Sequence, residues 1–275
     1  VLDNQTTVCH GPGIQGVHEI GMPTCTLGEA KNRANVIVYW ACNPTDAHPR
    51  HFERYTLNAE GRFVKDRGCR KVVVVDVRRT ATSRSADMFI QVEQGHDYEL
   101  ISALRALLRF EDIEQDSVAG VPLEKVEELV DLLRGCGYGV MFYGQGLTQT
   151  LGKGRNIEAA IALVRDLNRW GRFTIMPIRG HGNVTGANEV TTWWTGYPYA
   201  VDFSKGYPWY NPGETSIVDV LLRRESDAAL VVGSDPLAHF PRSAATHLAQ
   251  NPLAVIDPHF SMTALAADIM IPSAF

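Results

Sequence analysis

The chain has 275 residues, of which 45% are hydrophobic and 21% are charged, and its formal net charge is −5 at pH 7. This composition is ordinary for a globular protein with one large or two moderate cores, and it excludes a disordered chain. The negative charge argues against nucleic acid or an anionic membrane surface as a partner, because both favour a basic face on the protein.

The targeting and cysteine signals are those of a cytoplasmic protein. No apolar run approaches the length of about eighteen residues that a membrane helix needs, and no basic and then apolar leader opens the chain. Five scattered cysteines are too few for a secreted disulfide framework, and none forms a Cys-x-x-Cys pair that would suit zinc or an iron–sulfur cluster. The chain begins at Val1 and stops directly after a strand-like run, so we expect a fragment.

Short apolar runs bounded by Gly, Pro or Asp alternate with helical patterns. This alternation predicts an α/β fold with mostly parallel sheets and helices on both faces. Between Met176 and Thr215 the chain is rich in Gly, Pro, Asn and aromatic residues. We predict a long functional or interfacial loop there and place a domain boundary near Ile178. The predicted elements in chain order are the strands Val36–Trp40 and Val72–Val75, the helices Tyr98–Arg109 and Leu123–Arg134, the strand Gly139–Tyr143, the helix Ile157–Arg169, the strand Thr174–Pro177, the helix Ser216–Arg223, and the strands Ala229–Val232 and Ala254–Ile256.

A weak internal repeat relates the two halves of the chain. In both halves an aspartate after a strand is followed by a second aspartate eleven residues later. The matching segments are Val36–Pro44 with Ala229–Pro236, His48 with His239, Asp76 with Asp257, and Asp87 with Asp268. The repeat predicts two related nucleotide-binding-like halves, which would bind two similar ligands or one ligand with two similar parts.

Polar residues and glycines collect at the ends of the predicted strands. In doubly wound sheets, ligands bind at the carboxyl ends of the strands, where loop N–H groups and helix N-termini offer donors. Each Asn-Pro, Asp-Pro or Gly-x-Gly segment alone is equally well explained as a turn, but five of them at one edge favour a binding site. The candidate cofactor-binding residues in these segments are Asn43, His48, Asp76, Arg78, Thr80, Gly144, Gly146, Gly233, Ser234, Asp235, Asp257 and His259.

Two further segments carry reactive side chains. Cys9 and His10 precede the first strand on a loop or at a helix start, where a thiolate could bind a soft metal and an imidazole could relay protons. A structural Cys-His pair is the plainer alternative. Arg179 follows a buried strand and could clamp a carboxylate in bidentate fashion, or it could be incidental in an exposed turn. His181 and Asn183 share its glycine-containing loop and join the candidate cofactor-binding residues.

As a set, these segments resemble the molybdopterin oxidoreductase family over essentially the whole chain. The segments that carry the resemblance are Cys9, Val36–His51, Val72–Asp87, Gly144–Thr148, Pro177–Gly186, Ser234–Pro236 and Asp257–Asp268. Within that family, the chain looks like the branch formed by the B subunits of formylmethanofuran dehydrogenases. That second resemblance rests on Thr7–Pro12, Trp40–His51, Gly196–Ser204 and Tyr210–Thr215.

The resemblance implies a molybdopterin oxidoreductase core and a bis-(molybdopterin guanine dinucleotide) cofactor with tungsten or molybdenum, one dinucleotide in each half. Cys9 would be the thiolate ligand of the metal, His10 the neighbouring proton relay, and Arg179 the arginine that holds CO2 or formate. Residues 1–178 would form an α/β domain with Cys9 and the first half-site, and residues 179–275 a partial α/β domain with the second. An N-terminal part with a 4Fe–4S cluster and a C-terminal part would be missing.

The implied activity is that of a catalytic subunit that reduces CO2 reversibly to formate with electrons from a ferredoxin-type donor, as in methanogenesis. The implied partners are an amidohydrolase-like subunit, which would use the formate to formylate methanofuran, and ferredoxin-like subunits. Two alternatives remain: a redox-inactive scaffold subunit of a formyltransferase/hydrolase complex, and a molybdopterin formate dehydrogenase. Cys9, His10 and Arg179 together argue against the scaffold, and Tyr210–Glu214 and Trp40–His51 favour the formylmethanofuran branch.

Overall fold

The computed structural model describes residues 1–274. Its helices are α1 Thr6–Cys9, α2 Gly11–Ile20, α3 Leu27–Arg33, α4 Pro44–Ala47, α5 His51–Tyr55, α6 Asp97–Leu108, α7 Leu123–Arg134, α8 Gln145–Thr148, α9 Gly154–Leu167, α10 Val184–Thr195, α11 Ile217–Leu222, α12 Pro236–His239, α13 Arg242–Leu248 and α14 Met262–Leu265. Its strands are β1 Val36–Trp40, β2 Lys71–Asp76, β3 Met88–Gln91, β4 Ser117–Val118, β5 Val121–Pro122, β6 Tyr138–Tyr143, β7 Arg172–Pro177, β8 Val201–Asp202, β9 Trp209–Tyr210, β10 Ala229–Val232, β11 Leu253–Asp257 and β12 Ile269–Pro272.

The chain divides into two compact units. The central unit is Pro12–Ile178, and the split unit combines Val1–Gly11 with the chain from Arg179 onward. The sequence places the boundary near residue 178 but assigns Cys9 to the first domain, whereas the structure groups Cys9 with the second half of the chain.

Contacts made by the first residues explain this grouping. Leu2 forms an isolated antiparallel bridge with Val201. The carboxylate of Asp3 accepts hydrogen bonds from the backbone N–H groups of Ala200 at 3.0 Å and Ile217 at 2.8 Å. Residues so distant in the sequence pair only after folding, so a local sequence pattern carries no sign of them.

The central unit is built on a parallel sheet in the order β3-β2-β1-β6-β7. Strand β1 reads Val-Ile-Val-Tyr-Trp and is buried at every position, as expected of a central strand covered on both faces. One face packs against α6, α7 and α9, and the other packs in a second cluster that includes Ala30 of α3. The strand order reverses between β1 and β6, which is the point in such sheets where ligands bind.

The split unit contains a parallel sheet in the order β10-β11-β12 and a short antiparallel pair, β8-β9. On one face of the parallel sheet, Val255 packs in a buried cluster with residues of α11, α13 and α14, including Leu221, Leu248 and Ala264. The predicted α/β class with mostly parallel sheets is therefore confirmed, and each predicted strand and helix is present within three residues of its expected bounds. Within residues 1–274, no helix has both the length and the apolar character needed to span a membrane.

One prediction about the secondary structure is wrong. The sequence predicts a loop from Met176 to Thr215, yet this segment contains the helix α10. Asn183 caps this helix by accepting a hydrogen bond from Gly186 N at 3.2 Å, and Gly196, with φ of +84°, ends it. The residues of α10 are mainly Val, Thr, Asn, Gly and Trp, which have low helix propensity, so tertiary packing rather than composition decides its structure.

The internal repeat appears as one hydrogen-bond network present in both units. In the central unit, Asn43 Oδ1 accepts from Thr82 N at 3.1 Å and from Thr82 Oγ1 at 2.8 Å. In the split unit, Asp235 Oδ1 accepts from Thr263 N at 2.9 Å and from Thr263 Oγ1 at 2.6 Å. Asn43 and Asp235 also share their backbone angles, with φ of −125° and −124° and ψ of 72° and 70°.

A second pair of contacts repeats in the same way. Asp87 Oδ2 accepts the N–H of Val72 at 2.8 Å, and Asp268 Oδ2 accepts the N–H of Leu253 at 2.9 Å. Strands β1, β2 and β3 therefore correspond to β10, β11 and β12.

Candidate active site

Cys9 and His10 form a contact pair at the end of α1 in the split unit. Cys9 Sγ lies 3.0 Å from His10 Nε2. Cys9 is half-buried, whereas His10 is only 5% exposed. The Cys9 thiol is therefore partly accessible and contacts the buried imidazole of His10.

The electrostatic environment of this pair includes Arg179. Burial raises the pKa of Cys9, and the positive charge of Arg179 opposes that rise in part. Burial, reinforced by the charges of Arg179 and His181, lowers the pKa of His10 to about 4. The imidazole of His10 is thus neutral at physiological pH and able to accept or share a proton.

The loop that carries Arg179 has an unusual backbone. His181, Gly182 and Asn183 have φ of +53°, +54° and +61°, so three successive residues adopt the left-handed conformation. Only glycine does so without strain, and such strain in non-glycine residues is typical of functional loops. The ring of His181 lies 5.7 Å from that of His239 in an edge-on arrangement.

Asn188 of α10 connects the Arg179 loop to α1. One atom of its buried side-chain amide lies 3.2 Å from Arg179 Nη1, and the amide is also within 2.9 Å of Thr6 Oγ1. The two orientations of the amide compete, since its oxygen accepts from Asn4 Nδ2 at 2.8 Å in one and from Arg179 in the other. The charged donor favours the second orientation. In either case Asn188 lies between the two segments that carry Cys9 and Arg179.

The donor set fits one kind of metal site. In the part of the chain that the structure describes, no group of three His, Cys, Asp or Glu side chains converges as a metal-binding cluster. A metal bound to Cys9 would then take most of its ligands from a cofactor, and a sulfur donor suits tungsten or molybdenum.

The central unit has a cleft of about 370 Å³ at the carboxyl ends of its strands. It brings together the predicted residues Asn43, Asp76, Arg78, Thr80 and Gly146. The complete lining is Ala41, Cys42, Asn43, Asp76, Val77, Arg78, Thr80, Gln94, Asp97, Gly146, Gln149 and Thr150. The cleft therefore lies at the strand-order reversal, where the sequence places the first half-site.

The acidic and basic side chains that line this cleft provide two carboxyl groups and one exposed guanidinium. Burial raises the pKa of both Asp76 and Asp97. Asp97 Oδ1 also accepts a hydrogen bond from Trp40 Nε1 at 2.8 Å. Carboxyl groups of this kind can accept hydrogen bonds from the N–H and O–H groups of a ring or a ribose. The side chain of Arg78 is exposed and can contact a phosphate.

Asp97 is a cleft residue that the sequence does not reveal, although it is the first residue of α6. An acidic residue at a helix start normally counts only as a favourable charge, so its place in the cleft follows from the fold. Gln94, Gln149 and Thr150 were missed for the same reason, because they lie in loops whose course no local pattern fixes.

Gly144 and His48 do not line the cleft. A Cβ atom on Gly144 would lie 2.5 Å from Cys42 Cβ and 2.6 Å from Ala41 O, so this glycine permits close packing of the loops after β1 and β6. His48 ends α4, where its N–H donates to Pro44 O at 2.8 Å.

The second set of candidates lies in the split unit and is engaged in internal hydrogen bonds. Ser234 Oγ accepts from Gln5 Nε2 at 2.8 Å, and Asp257 Oδ1 accepts from His259 N at 2.8 Å. Burial opposes ionisation of Asp235, but the hydrogen bonds from Thr263 and the nearby His239 outweigh it, and the pKa of Asp235 is lowered. Gly233 has φ of +56° and open space around the position of a Cβ atom.

Comparison with known proteins gives close matches. No protein-family model matches the chain. The B subunit of tungsten-containing formylmethanofuran dehydrogenase 2 is 51% identical over the whole chain in Methanocaldococcus jannaschii and 48% identical in Methanococcus maripaludis. The chain spans 63% of the length of each of these relatives. Formate dehydrogenase H of Escherichia coli is 25% identical over 99% of the chain and 44% of its own length.

One solved structure shows the same fold. The formyltransferase/hydrolase complex of Methylorubrum extorquens, determined with methylofuran, includes a chain with a TM-score of 0.74 and 20% identity. The match covers 98% of the present chain and 71% of the other.

The sequence comparisons place the chain among the homologues of molybdopterin formate dehydrogenases. Within that group, its close homologues are the B subunits of tungsten-containing formylmethanofuran dehydrogenases, which confirms the resemblance found in the sequence.

Proposed function

We propose that this chain carries the pterin and metal site of a formylmethanofuran dehydrogenase and that this site interconverts CO2 and formate. The observation that carries the proposal is the contact of Cys9 Sγ with His10 Nε2 at 3.0 Å, in the same unit as Arg179, whose charge acts on both side chains. A thiol can bind a soft metal, an imidazole can move a proton and a guanidinium can hold a carboxylate.

Each of these residues has a distinct role in the proposed reaction. Cys9 binds the metal through sulfur, and the bound cofactor supplies the two-electron transfer when it is present. Arg179 binds formate or CO2, because a guanidinium matches a carboxylate in geometry and charge. His10 accepts or returns the proton, which a buried neutral imidazole can do. Only Arg179 and His10 act on the substrate itself, whereas Cys9 acts on the metal.

The cofactor proposed here is bis-(molybdopterin guanine dinucleotide), with one dinucleotide for each repeat. Asp76, Arg78, Thr80, Asn43 and Gly146 would hold the first in the cleft of the central unit. The second would lie along the corresponding strand ends of the split unit, near Gly233, Ser234, Asp235, Asp257 and His259, with His181 and Asn183 on the Arg179 loop. The matching networks around Asn43 and Asp235 support this pairing.

The remaining parts of the proposal concern the whole protein. Electrons would come from a ferredoxin-type donor through a 4Fe–4S cluster outside residues 1–275. Formate would pass to an amidohydrolase-like subunit that formylates methanofuran, with ferredoxin-like subunits in the same complex.

A redox-inactive scaffold subunit is the second candidate. It is favoured by the fold similarity to the formyltransferase/hydrolase complex of Methylorubrum extorquens. Conversely, a scaffold has no need for a half-buried thiol in contact with a buried histidine beside an arginine.

Elemental analysis for tungsten and molybdenum on the natively purified complex tests the proposal. We expect about one metal atom per copy of the subunit, because a single thiolate, Cys9, is available to one bis-pterin centre. An intact complex without either metal would contradict the proposal and leave the scaffold subunit as the better description.

A further inference from the structure

Asn188 is a buried residue of α10 whose side chain contacts both Arg179 and α1. The residue is only 5% exposed, and one atom of its amide lies 3.2 Å from Arg179 Nη1. The other amide atom lies 2.8 Å from Asn4 Nδ2 and 2.9 Å from Thr6 Oγ1. All four residues belong to the split unit. The amide therefore bridges the loop that carries Arg179 and the segment that leads into Cys9.

The amide group offers an oxygen to the guanidinium. A guanidinium has five N–H donors in a rigid plane and no acceptor, so an amide nitrogen beside Arg179 Nη1 would place two donors against each other. With the oxygen in that place, Nη1 donates to Asn188 and the orientation of the guanidinium plane is restricted. One such bond leaves four N–H groups for other acceptors, and a bidentate carboxylate needs two of them.

This acceptor is neutral, which matters for an arginine that is to meet an anion. Two arginines of the central unit illustrate the contrast, because Arg105 Nε and Arg109 Nη2 both donate to the carboxylate of Asp166, at 2.9 and 3.0 Å. A guanidinium paired in this way has its charge balanced by the protein itself. The amide of Asn188 can orient Arg179 without balancing its charge.

We propose that Asn188 is a positioning residue for Arg179. Its amide oxygen orients the guanidinium, and its neutrality leaves the positive charge of Arg179 to an anionic substrate. The other atom of the amide anchors the arrangement to Thr6, which is fully buried and lies three residues before Cys9. The inference rests on the proposed function in one respect, namely the binding of formate by Arg179.

Two substitutions in the natively purified complex separate orientation from charge. Asn188→Ala removes the amide, and we expect the KM for formate to rise about 10-fold while kcat changes by less than about 2-fold. Asn188→Asp keeps the shape and offers oxygens to the donors of Arg179, Asn4 and Thr6. We expect it to raise the KM by about 10-fold as well, because formate would then compete with a carboxylate for Arg179.

Structures of the two variant complexes provide a readout that does not depend on activity. We expect the guanidinium of Arg179 to move by about 1 Å or more in Asn188→Ala, because it loses the acceptor that orients it. In Asn188→Asp it should keep its place, since an oxygen remains beside Nη1.

Thr191→Val is the matched control. Thr191 lies one turn further along α10 and is only 9% exposed, and its Oγ1 donates to Ala187 O at 2.8 Å. The substitution changes a buried polar side chain of the same helix but leaves the contact between Asn188 and Arg179 intact. We therefore expect an unchanged KM for formate.

Four results would overturn the proposal. They are an unchanged KM in Asn188→Ala, an unchanged KM in Asn188→Asp, an equal rise of the KM in Thr191→Val, and an unmoved guanidinium in Asn188→Ala.

Arg179→Ala separates a failure of this proposal from a failure of the proposed function. If Arg179→Ala raises the KM for formate and Asn188→Ala does not, the positioning role is wrong and the role of Arg179 stands. If Arg179→Ala leaves the KM unchanged, the proposed binding of formate by Arg179 is wrong. The structures of the variants then still decide whether Asn188 orients the guanidinium.

Discussion

The surroundings of the Cys9 thiol favour its protonated form. Burial raises its pKa, and the charge of Arg179 offsets this only in part. A reactive cysteine nucleophile normally has a depressed pKa, so the raised pKa of Cys9 does not indicate a free nucleophile.

Replacement of this sulfur gives the first residue-scale prediction. We expect Cys9→Ser to reduce formate oxidation by the assembled complex by about 100-fold or more, because a hard oxygen would replace the soft sulfur of the proposed metal ligand. Thermal unfolding should change little, since the two side chains have similar size. Cys69→Ser at an exposed position is the control and should keep full activity. Equal activity of the two variants would remove Cys9 from the proposed site.

His51 predicts how stability depends on pH. Its ring packs 4.8 Å from that of Phe142, and burial lowers its pKa to about 4 from 6.5. Between these values the unfolded state binds a proton and the folded state does not, so His51 favours unfolding as the pH falls below 6.5.

His51→Phe should remove this contribution. Between pH 7 and 5 the wild type is expected to lose about 2 kcal/mol more free energy of unfolding than the variant. Chemical denaturation at both pH values measures the difference. An identical pH dependence in the two proteins would show that His51 titrates normally in the fold.

At the scale of elements, the repeat provides a matched pair of substitutions. Thr82 and Thr263 occupy equivalent positions, but Thr82 Oγ1 donates to the amide of Asn43 and Thr263 Oγ1 to the carboxylate of Asp235. Hydrogen bonds to charged groups contribute about 1.5–3 kcal/mol, and those to neutral groups about 1 kcal/mol.

We therefore expect Thr263→Val to lower the free energy of unfolding by about 2 kcal/mol and Thr82→Val by about 1 kcal/mol. The isosteric valine leaves the packing of both loops intact. Denaturant titration of the two variants gives the comparison, and a larger loss for Thr82→Val would mean that Asp235 is not ionised in the folded protein.

Elements were predictable where the residues alone determine the environment. The run Val36–Trp40 was assigned with its observed bounds, because consecutive β-branched and aromatic residues suit a strand buried on both faces. Helix α10 was missed, because its Thr, Asn and Trp residues are helical only in the context of the folded unit. The place of Asp97 in the cleft could not be predicted either, since it depends on how α6 meets β1.

At the scale of the whole molecule, the sequence indicated two halves but not which chain segments each half contains. The boundary near residue 178 followed from a change in residue pattern. The membership of Cys9 in the split unit depends on the pairing of Leu2 with Val201, which joins chain segments too distant for any local pattern to reveal. For the same reason, only the family resemblance connected Cys9 with Arg179 at the level of sequence.

The split unit has a consequence for how the protein is made. Asp3 accepts hydrogen bonds from Ala200 and Ile217, so these contacts cannot form on the ribosome until residue 217 has left the exit tunnel. Residues 12–178 contain the whole central sheet and its two cores, and domains fold as units during synthesis. The central unit is therefore expected to fold first. The segment with Cys9 has no contacts with the rest of the split unit until that part of the chain has been synthesised. The cleft of the central unit is therefore expected to form before the segment with Cys9 reaches its place in the split unit.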